Sequence, residues 1–252
     1  VYVVLLVSFL TGAAAAQHWT SATTLALICA FCGFQAEHPL VLQIRQRKSF
    51  KLRFWVWGGI YSAIASGIAL YLYWRTGELF SPLLWIYLAA IATLVFDGFS
   101  VLHREQKSIL NEIVTFSATC LAAPFAYVVT TGSISAIAVG LWILNTLFFS
   151  SSIFTVKLRK PEKGEQPSMP WHRLAIYHLL ATGIVVGLAG FGILPALTAL
   201  AFGILWCKVG FIVWQRQWYR TTKIQNVAAI ETMSALLFWI MTSISVLPAR
   251  LG

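Results

Sequence analysis

The residues of this chain that could do chemistry are few, and most of them lie inside apolar sequence. Glu37, His38, Asp97, Glu112, Lys208 and Glu231 are ionisable, and Asn145 and His178 are polar, within or at the ends of long apolar runs. Ionisable groups in such surroundings are costly, so each is a candidate functional residue. Arg104, Glu105 and Asn111 stand at the entrance to one of the runs. Arg104, Ser108 and Asn111 fall at helical spacing and share a face if the helix starts early. Glu105 and Glu112, seven apart, share an adjacent face, and Asp97 is placed to pair with Arg104 across the turn.

Depth ties these groups together. Every acid inside a run lies toward the end that borders a basic gap. Glu37, His38, Arg104, Glu105, Asn111, Glu112, Asn145, His178 and Glu231 are therefore expected to form one polar cluster that binds a ligand or a partner. The competing expectation carries equal weight: these groups neutralise one another and fix the hairpin around residues 101–109. Removing one charge from a buried pair costs about 3–5 kcal/mol, and Glu112 is where that cost is expected.

What the chain lacks narrows the chemistry. Asp97 is the only aspartate, so the D-x-x-x-D repeats that hold magnesium against a prenyl diphosphate are absent. There is no G-x-S-x-G, H-E-x-x-H or P-loop sequence. Cys29 and Cys32 form a C-x-x-C pair inside an apolar run, with no second pair at zinc-site spacing. They read as small hydrophobes, as do Cys120 and Cys207. No metal site is expected. His178 could in principle serve a tetrapyrrole as an axial ligand, but an interfacial role suits the histidines better.

The elements that must position these residues follow from hydropathy. Hydrophobic residues make up 59% of the chain and charged residues 10%, far below the roughly 25% charged of a soluble domain. Lipid must replace water over most of the surface. Runs at 1–16, 19–36, 54–74, 82–101, 109–130, 133–155, 174–191, 193–214 and 226–247 are near the length needed to cross a bilayer as a helix. They are apolar on all sides, without the alternation of barrel strands. The expected fold is an all-α, polytopic transmembrane bundle of about nine spans, a single membrane domain over 1–252. The first run is short, starts without methionine, and is expected to be cut at its upstream end.

Basic residues alternate between the gaps. Arg45, Arg47, Lys48, Lys51 and Arg53 fill the second, Arg104 and Lys107 the fourth, Lys157 to Arg173 the sixth, and Arg216, Arg220 and Lys223 the eighth. The positive-inside rule places those gaps, and the N-terminus, in the cytoplasm, with the C-terminus external or lumenal. A reporter fused within the hydrophilic stretch 157–173 should read as cytoplasmic and one after Arg250 as external. Two fusions reporting the same side would change the span count by an odd number. The net charge of +10 is thus a topology signal and an anchor to anionic head groups. It is spread over several loops with no recognition module, so no nucleic-acid partner is expected.

Aromatic residues gather near run ends, as in an interfacial belt. Small residues recur four apart at Ser62 and Ser66, Ala63 and Gly67, Ala118 and Ala122, and Gly183 and Gly187. Such pairs let helices approach closely, and internal packing is the expected use. No internal repeat is evident.

Several short motifs carry a resemblance. Glu37-His38-Pro39-Leu40 is one. Arg104-Glu105 through Ser108, Asn111 and Glu112 is another, in an R-E-x-x-S-x-x-N-[DE] pattern. Leu144-Asn145-Thr146-Leu147-Phe148-Phe149, Tyr177-His178-Leu179-Leu180, and Ile230-Glu231 followed by Leu236-Leu237-Phe238 complete the set. Together they resemble the YwiC-like family of bacterial membrane proteins, over nearly the whole chain. A His-Gly-x-Trp segment expected before the first span is absent. The resemblance implies a compact multi-helix membrane protein with no settled activity. Span count also resembles that of UbiA-type prenyltransferases, without their aspartate repeats.

Three functions are open at this point. The leading one is a non-catalytic auxiliary or assembly protein, for instance of a photosynthetic or other bioenergetic complex, binding a hydrophobic ligand or a membrane-protein partner. The second is a UbiA-like enzyme acting on an isoprenoid or tetrapyrrole substrate, with acids other than aspartate. The third is a proton-coupled transporter using Glu112 and Glu231. The bilayer is a partner in all three, and the ligand classes in view are lipid, isoprenoid and tetrapyrrole.

Overall fold

The structure, a computed structural model, describes residues 2–46, 51–103, 105, 107–159 and 170–247. These residues form helices and connecting turns: α1 (Tyr2–Ala16), α2 (Ser21–Arg45), α3 (Leu52–Trp74), α4 (Pro82–Leu102), α5 (Ile109–Cys120), α6 (Ala122–Thr131), α7 (Ala136–Arg159), α8 (Trp171–Gly190), α9 (Ala196–Ala201), α10 (Gly203–Trp214), α11 (Arg216–Thr221) and α12 (Ile224–Val246). Eight segments are long and apolar enough to cross a membrane, with α5–α6 and α9–α10 each counting as one, and α1 is a shorter apolar helix. The chain is an all-α integral membrane bundle. Arg104 and most of the hydrophilic stretch 157–173 lie outside the described residues.

Helix starts follow local chemistry. Thr20 and Thr23 form a reciprocal capping box at α2, and Ser81 caps α4 with Pro82 at its first position. Ser108 caps α5 by accepting from the Asn111 backbone N–H at 3.2 Å. That cap corrects one expectation. The helix begins at Ile109 with Ser108 as its cap, so the early start that would put Ser108 and Asn111 on one helical face does not occur. The fifth span also breaks at Leu121. Pro124 has no N–H to offer the Cys120 carbonyl, and the ladder restarts as α6. α2 runs nine residues past the apolar window, because Pro39 is accommodated within it and the helix continues to Arg45.

The chain runs up and down. Thr23 at the start of α2 bonds Thr130 at the end of α6. Tyr2 at the start of α1 bonds Gln35 toward the end of α2. Lys157 at the end of α7 reaches Glu112 at the start of α5. The end of α2 and start of α3, the end of α4 and start of α5, the end of α7 and start of α8, and the end of α10 and start of α12 therefore lie on one side, called here the basic side.

α1 and α7 form the spine. Ten of the fifteen residues of α1 are buried, and it packs on α2, α5, α6, α7 and α12. α3 is the opposite case. Only Gly58 and Leu72 are buried in it, and it leans on α2. This position overturns part of the small-residue expectation. Gly67, Gly183 and Gly187 have open space where a side chain would project, so those pairs do not mediate packing within the bundle. The close approach lies elsewhere, at Gly12. A Cβ there would sit 2.0 Å from the Ala123 carbonyl oxygen of α6.

Candidate functional site

Three of the acids, Glu37, Asp97 and Glu231, lie in two places. The first is a cavity of about 380 Å³ bounded by α2, α3, α4, α5 and α6, with Leu5 of α1 also lining it. Its walls are mostly small or apolar, with Cys29, Phe34, Ala65, Tyr87, Ala90 and Phe125 among them. Glu37 from α2 and Asp97 from α4 both open into it and lie within electrostatic range of each other. Asp97 Oδ1 accepts a hydrogen bond from Asn111 Nδ2 of α5 at 2.9 Å. Glu37 lies eight residues before the end of α2, about 12 Å inside the helix terminus at 1.5 Å per residue. The Tyr87 hydroxyl donates to the Ala69 carbonyl at 3.1 Å and the Cys29 thiol to the Ala65 carbonyl at 3.3 Å. Both bonds tie the wall helices together and leave apolar surface facing inward.

The second place lies among α7, α10 and α12. Lys208 Nζ pairs with Glu231 Oε2 at 2.9 Å. Its ammonium also donates to Ser151 Oγ at 3.1 Å and lies 5.5 Å from the Phe148 ring centroid. Glu231 accepts from Ser152 Oγ at 2.6 Å and from Thr155 Oγ1 at 3.2 Å. The Lys208 side chain is 1% exposed and that of Glu231 22%. Such a pair survives in a low-dielectric interior because hydrogen bonds occupy the remaining lone pairs and protons. Tyr219, in the short interfacial helix α11, closes this region. Burial pushes its phenol up to about 12, with the charge of Glu231 acting in the same direction and Thr155 and Arg159 opposing.

The other candidates scatter. Glu112 pairs with Lys157 Nζ at 2.8 Å on the basic side, both partly exposed. His38 is exposed and lines a shallow groove with Arg53, Trp57 and Tyr61. Glu105 is exposed in the α4–α5 connection, where its backbone N–H donates to the Ser100 carbonyl. Asn145 is fully buried and donates to Thr11 Oγ1 at 3.1 Å, joining α7 to α1. His178 is buried, with Nδ1 2.7 Å from the Leu174 carbonyl and its ring edge-on to Trp206. Arg104 lies outside the described residues. Glu37 and Asn111 thus meet through Asp97, and Glu231 stands apart with Lys208, on the other side of α7.

Sequence reasoning left Asp97 and Lys208 outside the candidate cluster and missed Ser151, Ser152 and Thr155 altogether. Lys208 carried a usable signal, a lysine in mid-span with no nearby acid in sequence. The hydroxyls carried none, since serine and threonine are common in spanning helices.

A sequence model of the YwiC-like protein family matches residues 1–127. The chain belongs to the YwiC-like family. The match runs from α1 into α6 and holds every residue lining the cavity, from Leu5 to Phe125. Of the motifs that carried the resemblance, those at 144–149, 177–180 and 230–238 lie beyond it, as does the Lys208–Glu231 pair. No curated protein and no solved structure matches the chain.

Proposed function

We propose that this YwiC-like protein is a non-catalytic membrane auxiliary that holds a hydrophobic ligand between α2 and α4. The cavity carries the reading. Its volume of about 380 Å³ falls in the range of small-molecule sites, roughly 300–1,000 Å³. Its two carboxyls, Glu37 and Asp97, both come from the closing halves of their helices, as in a site that buries an apolar body and orients a head. The family match supports the choice, because the matched segment builds the whole cavity. Asn145, His178 and the Lys208–Glu231 pair serve the bundle around it.

Extraction of the purified protein with organic solvent, followed by mass spectrometry, tests the reading. A lipid or isoprenoid should co-purify near one per chain. Ala90 is an exposed residue of the cavity wall, so Ala90→Phe should fill the space and remove the ligand without lowering the unfolding temperature. A variant that keeps the same bound species, or a wild type that carries none above the bulk lipid background, contradicts it.

A second reading, proton-coupled transport, draws on the Lys208–Glu231 pair and its hydroxyl partners. Proton-driven flux in proteoliposomes that is lost in Glu231→Gln, in protein shown to be folded, would favour it over the first.

A further inference from the structure

We infer that the cavity takes an amphiphile with a protonated amine head, seated between Glu37 and Asp97. This rests on the proposed ligand-binding role and names the chemical class of the ligand. Two carboxylates face one apolar cavity from neighbouring helices. Asp97 has a partner in Asn111. Among the described residues, nothing donates a hydrogen bond to the Glu37 carboxylate, and no lysine, arginine or histidine lines the cavity. A carboxyl in low dielectric is either neutral or paired with a hydrogen-bonded counter-charge; within the cavity this chain supplies none, so an entering cation is the group that would hold it ionised.

The geometry selects among cations. A hard divalent ion takes six or more oxygen ligands, and the described residues contain no group of three or more His, Cys, Asp or Glu that could hold a metal. An alkylammonium has three N–H donors and an apolar tail. Its head would donate to Glu37 and to the free lone pairs of Asp97. Its tail would lie along Phe34, Ala65 and Ala90, where a hydrated inorganic cation finds no ligands.

The test uses the full chain in phosphatidylcholine nanodiscs. The probes are a photo-crosslinkable hexadecylamine and the matched hexadecanol. Labelling is mapped to peptides and titrated. Amine labelling on α2 and α4 should exceed alcohol labelling about tenfold, the scale of one charge-assisted hydrogen bond. Glu37→Gln should erase that preference and leave alcohol labelling unchanged, and Asp97→Asn should reduce it. Ala90→Phe should abolish labelling by both. Equal labelling by amine and alcohol in the wild type, or an unchanged preference in Glu37→Gln, overturns the amine class and leaves the hydrophobic site standing. Cavity labelling by neither probe, or labelling by both that survives Ala90→Phe, overturns the site and the class together. Unfolding temperatures measured on the same samples identify any variant that fails to fold. Since both carboxyls are partly accessible to the cavity and neither is part of the α1–α7 spine, folded Glu37→Gln protein is expected.

Discussion

Glu231→Gln is expected to destabilise the folded protein by about 3–5 kcal/mol, the cost of breaking a buried ion pair by removing one partner. The substitution keeps volume and strands the Lys208 ammonium at 1% side-chain exposure. Ser151 Oγ and the Phe148 face are then its remaining neighbours. Lys208→Met should cost less. Glu231 keeps its bonds from Ser152 and Thr155 and retains 22% side-chain exposure. The double variant Lys208→Met with Glu231→Leu should recover much of the loss, because apolar replacement of a buried pair is often neutral or stabilising. Glu112→Gln is the comparison. Its partner Lys157 is 21% exposed and Glu112 itself 31%, so the change should cost less than about 1 kcal/mol. The large cost expected at Glu112 from sequence belongs to Glu231. Denaturant unfolding of the purified variants in one detergent checks the ordering. Equal stability of Glu231→Gln and wild type would show that the pair contributes nothing.

Gly12→Leu should prevent assembly of the native bundle. The Cβ alone would lie 2.0 Å from the Ala123 carbonyl oxygen and 2.7 Å from its carbonyl carbon. Both are backbone atoms, so no side-chain rotation relieves the overlap. Overpacking of this kind costs about 1–3 kcal/mol where side chains can shift and more where they cannot. α1 touches five other helices of the bundle, so a displaced α1 exposes the core that it covers. Gly12→Ala should already be clearly destabilised. Gly67→Ala on peripheral α3, with open space at the same position, should stay within about 0.5 kcal/mol of wild type, as surface changes usually do. Fluorescence-detected size exclusion of the three variants separates them. A monodisperse Gly12→Leu peak at wild-type yield would mean that α1 and α6 do not approach as described.

The bundle was legible in the sequence because lipid imposes a simple demand. A helix that crosses it must be apolar along its length, and hydropathy reads that directly. Breaks inside spans were less visible. Leu121 interrupts the fifth span because Pro124 leaves the Cys120 carbonyl without its helical partner, and the run stays apolar throughout. The polar residues were legible as individuals and illegible as pairs. Lys208 and Glu231 are 23 positions apart and Ser151 is 57 before Lys208, separations with no helical meaning. Their meeting depends on which face α10 and α12 turn to α7, and helices apolar on every side give no periodicity from which to read it. Asp97 was placed by the sequence opposite Arg104. Arg104 lies outside the described residues; Ser108 caps α5, and Asn111 of that helix meets Asp97. The shared depth of the acids suggested a polar cluster or cavity, but not a cavity with mostly apolar walls. It arises where small residues of α2, α3 and α4, such as Ala30, Gly33, Ser66 and Ala90, leave space unfilled, and composition alone does not say which small residues face each other.

The ligand-binding reading is exposed most directly to a density map of the protein in nanodiscs, obtained by cryo-electron microscopy with a bound antibody fragment to supply mass. The map should show an elongated feature between α2 and α4, with one end against Glu37 and Asp97 and the other along Phe34 and Ala90. The Ala90→Phe map should lack that feature and keep the helix positions. A wild-type map in which α4 closes onto α2 and no space remains beside Glu37 would contradict it.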